Sequence, residues 1–202
     1  MDVEISGQLV VPEHALGVVV FAHGSGSSSL SPRNRFVADA LNEAGLGTLL
    51  FDLLTPEEEA DRGNVFDIEL LAGRLLAATA LVREDPGATG LPVGYFGAST
   101  GAGAALWAAA EPDNIVAAVV SRGGRPDLAG PRLASVRAPT LLLVGGADEP
   151  VIELNEAAQR QLNAESELRI VPGATHLFEE PGALETVADL ARDWFTRHFT
   201  GR

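Results

Sequence analysis

The 202-residue chain has no cysteine and no lysine, and all fourteen of its basic residues are arginine. Without cysteine there is no thiolate nucleophile, disulfide, iron–sulfur cluster or zinc-thiolate site. Without lysine there is no Schiff base, Ser-x-x-Lys base or P-loop lysine. The nucleophiles that remain are Ser, Thr, Asp, Glu, His and Tyr. Positive charge is scarce altogether: 28 acidic residues give a net charge of −14, a field that repels phosphate backbones and anionic membrane surfaces. No nucleic-acid or membrane partner is expected. Long apolar runs are missing too, since the stretch Leu16 to Ala22 is far too short to span a bilayer, and Met1-Asp2-Val3-Glu4 lacks the basic start of a signal peptide. The expectation is a soluble cytoplasmic protein, and the absence of cysteine, compatible with any compartment, plays no part in it.

What is present is 46% hydrophobic residues, enough for one core, so residues 1–202 are read as a single domain. Short β-branched runs bounded by glycine alternate with Ala/Leu/Arg/Glu stretches at helical spacing, the pattern of βαβ units. Strands are predicted at Val3–Val11, Val18–Ala22, Thr48–Leu53, Val93–Gly97, Val116–Val120, Thr140–Val144 and Leu168–Val171. The nearly all-apolar ones from Val18 onward suit the centre of a parallel sheet buried on both faces, and the more alternating first strand suits an edge. Helices are predicted at Pro32–Glu43, Asp67–Arg83, Gly101–Ala110, Val151–Asn163 and Ala183–Phe199. The polar stretch Thr55–Phe66 reads as a solvated acidic loop, and the nineteen residues between Val120 and Thr140 leave no room for a lid domain.

The segment from Val93 to Gly103 runs from a buried strand into a small-residue helix through G-x-S-x-G, centred on Ser99. A sharp strand-to-helix turn explains Gly97 and Gly101, because side chains at −2 and +2 would meet the neighbouring strand and helix. A phosphate-binding turn also uses glycine here, but the spacing G-x-x-x-G-x-G is not G-x-G-x-x-G. A serine needs a base, oriented in turn by a carboxylate. Of the four histidines, His176 follows the last strand in PGATH, at the carboxyl edge of the sheet. His198 and His14 read as solvated, and His23, in HGSGS, as an imidazole holding its loop. Asp148 ends LLLVGGAD at the same edge, ahead of Asp52 and Glu149 as the acid, with a helix-capping role as its alternative. Backbone N–H groups of Ser25 and Thr100 suit an oxyanion hole.

The order strand–HGSG–helix–strand–helix–strand–GASTG–helix–strand–helix–GGADEP–helix–strand–PGATH–helix resembles an α/β-hydrolase, within it the small lid-less dienelactone-hydrolase-like serine esterases. The resemblance covers almost the whole chain from Val18. It implies a mainly parallel α/β sheet of about seven strands without a cap domain, Ser99 as nucleophile, His176 as base and Asp148 as its orienting acid. It also implies Ser25 and Thr100 as the oxyanion hole, and neither cofactor nor metal. Dienelactone hydrolases proper resemble G-x-C-x-G enzymes, so Ser99 is a departure. The expected reaction is hydrolysis of small soluble esters through an acyl-enzyme; lactone, thioester or perhydrolase chemistry uses the same triad, and a non-catalytic nucleotide- or ligand-binding domain is the contrasting class. In Ser121-Arg122-Gly123-Gly124-Arg125-Pro126-Asp127, Arg122 or Arg125 is a candidate for binding a substrate carboxylate, against pairing with Asp127 or a loop carbonyl. The oligomeric state is not legible, since Trp194 and Phe195 can pack inward or on a partner.

Overall fold

The computed structural model describes residues 4–201. Among them, seven strands form one sheet: β1 (Gly7–Val10), β2 (Val18–Ala22), β3 (Gly47–Phe51), β4 (Val93–Ala98), β5 (Ala118–Arg122), β6 (Thr140–Gly145) and β7 (Ser166–Val171). Their order is β1-β3-β2-β4-β5-β6-β7, with β1 antiparallel to β3 and every other pair parallel. The four apolar strands β2, β4, β5 and β6 are buried along their whole length, as strands covered on both faces must be. The alternating first strand is the antiparallel edge; it is shorter than predicted, and Val3 lies outside the described residues.

The helices α1 (Pro32–Glu43) and α7 (Ala183–Thr200) cover one face, packing Val37, Leu41, Val187, Trp194 and Phe195 onto Val19, Phe96 and Val120. On the other face α4 (Ile68–Glu84) and α5 (Thr100–Ala109) bury Leu71, Leu75 and Leu106 with Val20 and Tyr95. Trp194 and Phe195 therefore point into the core, 2% and 0% exposed. Beyond β6, α6 (Glu149–Gln159) leads into β7.

Two expectations need correction. The stretch Thr55–Phe66 is not loop but two short helices, α2 (Pro56–Glu59) and α3 (Arg62–Val65). A reciprocal cap between Thr55 and Glu58 organises the first, and Glu58 pairs with Arg74 of α4 at 2.6 Å. A 3-10 segment, Pro126–Ser135, broken at Gly130, fills the connection from β5 to β6 and forms no lid. His198 is not solvated: it stacks edge-on against Trp194, with centroids 4.5 Å apart, and burial lowers its pKa. No helix among the described residues is long and apolar enough to cross a membrane.

Candidate active site

The parallel register brings the chemistry to one edge. Ala22 pairs with Gly97, Ala98 with Arg122, Arg122 with Leu143, and Gly145 with Val171, so the residues that follow these strands emerge together at their carboxyl ends. Ser99 follows β4 with φ 50° and ψ −121°, a region that a side chain seldom occupies. Two glycines make this turn possible. A Cβ on Gly97 would stand 2.5 Å from the Ala102 Cα, and one on Gly101 would stand 2.5 Å from the His23 carbonyl oxygen. Gly24 passes over the serine so closely that its own Cβ would fall 2.9 Å from that of Ser99. Although Ser99 holds the N-cap position of α5, its hydroxyl makes no capping bond among the described residues.

The acid and the histidine arrive on loops joined to each other. The Gly146 N–H donates to the Val171 carbonyl at 2.8 Å and that of Ala147 to the Ala174 carbonyl at 2.9 Å, while Gly145 lies against the carbonyl of Thr175, where a Cβ would be 2.6 Å away. Across this seam His176 Nδ1 and Asp148 Oδ2 are 2.7 Å apart, so with the carboxylate as acceptor Nδ1 carries the proton and Nε2 keeps its lone pair. Asp148 begins α6 without a side-chain cap bond; its carboxylate serves the imidazole instead. Gly123 joins the two halves of the site. Its φ of +51° turns the chain beneath His176, whose Nδ1 would be 3.5 Å from a Cβ there, and the preceding carbonyl, of Arg122, receives the Ser99 N–H at 3.3 Å.

The loop after β2 is fixed from below. His23 accepts the Leu53 N–H on Nε2 at 2.9 Å and donates from Nδ1 to the Gly24 carbonyl at 3.0 Å, the loop-holding role expected of it. Asp52 accepts the Ser29 N–H at 2.6 Å. The Thr100 N–H has no acceptor among the described residues, whereas the Ser25 N–H donates to Thr100 Oγ1 at 3.0 Å. Beside these groups opens a hollow of about 190 Å³, lined by Ser25, Thr100, Leu54, Glu59 and Val65 among others, so the α2–α3 segment forms one wall.

The two arginines separate. Arg125 forms a two-pronged pair with Asp127 at 2.8 and 2.7 Å, which raises its pKa. Arg122 is 8% exposed, lies 6.0 Å from the Phe96 ring and has no hydrogen-bond partner or carboxylate among the described residues. Burial, with a smaller contribution from Arg33, pulls its pKa down to about 10, so it remains charged at neutral pH. Asn155, fully buried on α6, went unseen in the sequence: its amide donates to the Gly124 carbonyl at 3.0 Å and ties the acid-bearing helix to the Arg122–Arg125 turn. A polar amide inside an amphipathic helix, where it is a poor helix former, was the available signal.

Comparison with known proteins agrees with this architecture. The family model described as the dienelactone hydrolase family matches residues 5–199. A crystal structure of a dienelactone hydrolase from Anabaena variabilis superposes with a TM-score of 0.93 at 59% identity, covering 98% of this chain and 93% of that one. Est1E from Butyrivibrio proteoclasticus, solved with ferulic acid bound, has a TM-score of 0.80 at 19% identity over 96% of this chain and 95% of its own, a likeness of fold. Proteins from two strains of Mycobacterium tuberculosis, provisionally named phosphoribosyl transferases, are 64% identical over 199 residues. Those residues make up 98% of this chain and 45% of each relative, so the chain spans less than half of their length.

Proposed function

Because the chain belongs to the dienelactone hydrolase family and has a lid-less α/β-hydrolase fold, we propose that it is a serine hydrolase that cleaves carboxylic esters of small substrates through an acyl-enzyme. The observation that carries this reading is the 2.7 Å bond between His176 and Asp148 at the same sheet edge as the strained, uncapped Ser99. In the proposed reaction, Ser99 Oγ attacks the ester carbonyl carbon while His176 Nε2 takes its proton, and Asp148 stabilises the imidazolium. The carbonyl π pair moves to oxygen, where the Thr100 N–H at the start of α5 meets it. Collapse expels the alcohol, protonated by His176, and a water activated by the same imidazole releases the acid. The serine–histidine hydrogen bond is the one that closes as substrate arrives.

The hollow beside Ser25 and Thr100 favours short acyl or alcohol groups. Its carboxylates, Asp52 and Glu59, disfavour an anion on that side. Of the two candidate arginines, Arg122 is the one that supports recognition of a substrate carboxylate, since Arg125 is already paired.

A panel of p-nitrophenyl esters of increasing acyl length tests the proposal. Turnover should favour short chains, vanish in Ser99→Ala and fall about 10⁴-fold in kcat in Asp148→Asn, where the histidine loses its orienting anion. Activity that survives in Ser99→Ala overturns the mechanism.

A further inference from the structure

Thr100 differs from three of the four other threonines of the helices. Thr79, Thr186 and Thr200 each donate their hydroxyl proton to the carbonyl four residues earlier, at 2.7, 2.7 and 2.8 Å. Thr100 is the first residue of α5, where no helical carbonyl lies behind it, so that outlet does not exist. Its side chain is buried at 3% exposure, and its Oγ1 makes one bond among the described residues, as acceptor from the Ser25 N–H. A buried hydroxyl that accepts but has no acceptor for its own proton is an unspent donor. It follows Ser99 directly in the chain and, with Ser25, lines the hollow walled by the α2–α3 segment. The Ser25 amide is oriented toward this oxygen and polarises its O–H bond, as linked hydrogen bonds do.

We infer that Thr100 is a catalytic residue through its side chain: the oxyanion is held by the N–H and the O–H of Thr100 together, with the Ser25 N–H standing behind the hydroxyl as a positioning group. This rests on the serine-hydrolase reading and deepens it. The arrangement assigned from sequence, with the Ser25 and Thr100 amides both on the oxyanion, requires Ser25 to abandon a bond that the resting fold already makes. The hydroxyl requires no such rearrangement. No proton changes hands in this step: as Ser99 Oγ bonds to the carbonyl carbon, the carbonyl π pair becomes the oxyanion and the Thr100 proton is shared with it by hydrogen bonding.

The test compares Thr100→Val, which keeps the shape, with Thr100→Ser, which keeps the hydroxyl. It reads kcat and KM for p-nitrophenyl acetate, the melting temperature, and inhibition by phenylboronic acid, which adds to a serine as a tetrahedral anion. Thr100→Val should lower kcat about 10²–10³-fold with KM nearly unchanged, the effect of removing one oxyanion donor, and weaken the boronate in parallel. Thr100→Ser should recover both. Wild-type kcat and boronate affinity in Thr100→Val would overturn the inference and return the oxyanion to the Ser25 amide. Equal losses in Val and Ser, accompanied by a lower melting temperature, would overturn it in favour of methyl packing. Turnover persisting in Ser99→Ala refutes the underlying hydrolase reading; turnover lost there but kept in Thr100→Val refutes the hydroxyl's role alone.

Discussion

Replacing Gly97 by alanine isolates the sterics of the serine turn. Gly97 does not need a left-handed backbone, so the whole effect comes from one methyl group. That methyl would stand 2.5 Å from the Ala102 Cα, 2.8 Å from its nitrogen and 2.8 Å from the Gly101 carbonyl, all backbone atoms in the first turn of α5. No rotamer change can relieve the overlap. Restoring ordinary contact at about 3.5–4.0 Å moves the helix start by about 1 Å, and the helix is pinned from the opposite side because Gly101 lies against the carbonyls of Ala22 and His23. Overpacking of this kind costs about 1–3 kcal/mol. The displaced turn carries Ser99 and Thr100, and a 1 Å misplacement of reacting groups costs about 10²-fold in rate. Gly73 in α4 is the control: a Cβ there meets nothing within 4 Å, so Gly73→Ala should stabilise by about 0.5–1 kcal/mol and leave turnover unchanged. Urea denaturation with p-nitrophenyl acetate kinetics measures both. Gly97→Ala with stability within about 0.5 kcal/mol of wild type and undiminished kcat would refute the argument.

Two further outcomes follow from buried charge. Arg122→Met should raise stability, because a guanidinium whose pKa is pulled by burial down to about 10 carries a penalty on the order of 3 kcal/mol at neutral pH, where it is still protonated. The same change should erase any preference for anionic over neutral esters, and an unchanged rate ratio between a succinate half-ester and its neutral methyl analogue would remove Arg122 from substrate recognition. His198 has a pKa lowered chiefly by burial, so the unfolded chain protonates first as pH falls. Its contribution to stability is present above the ordinary histidine value of about 6.5 and is lost as pH drops through that value toward the depressed native one. His198→Phe, which keeps the stack on Trp194, should therefore flatten the stability profile over that interval in a series of denaturation curves, and an unaltered slope would contradict the assignment.

How much of this was legible beforehand depended on the range of the interaction involved. Gly97 and Gly101 were readable because the clash they avoid is with their own turn and with the strand that such a turn always abuts. The emergence of Ser99, Asp148 and His176 at one sheet edge was readable because parallel strands joined by crossovers present the same ends on the same side. The short helices α2 and α3 were not readable, since they bury no apolar face and rest on a reciprocal cap and the Glu58–Arg74 pair. Nor was the burial of His198, whose place at the end of α7 suggested solvent until Trp194 was seen to cover it.

The absence of cysteine and lysine, the glycine spacing and the strand order thus excluded thiolate and amine nucleophiles and determined the fold class and the edge at which the Ser99 turn emerges, because these follow from composition and from sterics along the chain. Tertiary structure alone decided which of the two loop arginines is paired and which group the Ser25 amide meets. Arg125 finds Asp127 two residues away while Arg122 finds no carboxylate among the described residues, and the Ser25 amide meets a hydroxyl 75 residues distant. Partnerships of that kind depend on where separate segments are brought together when the core closes, a property that no local pattern of residues encodes.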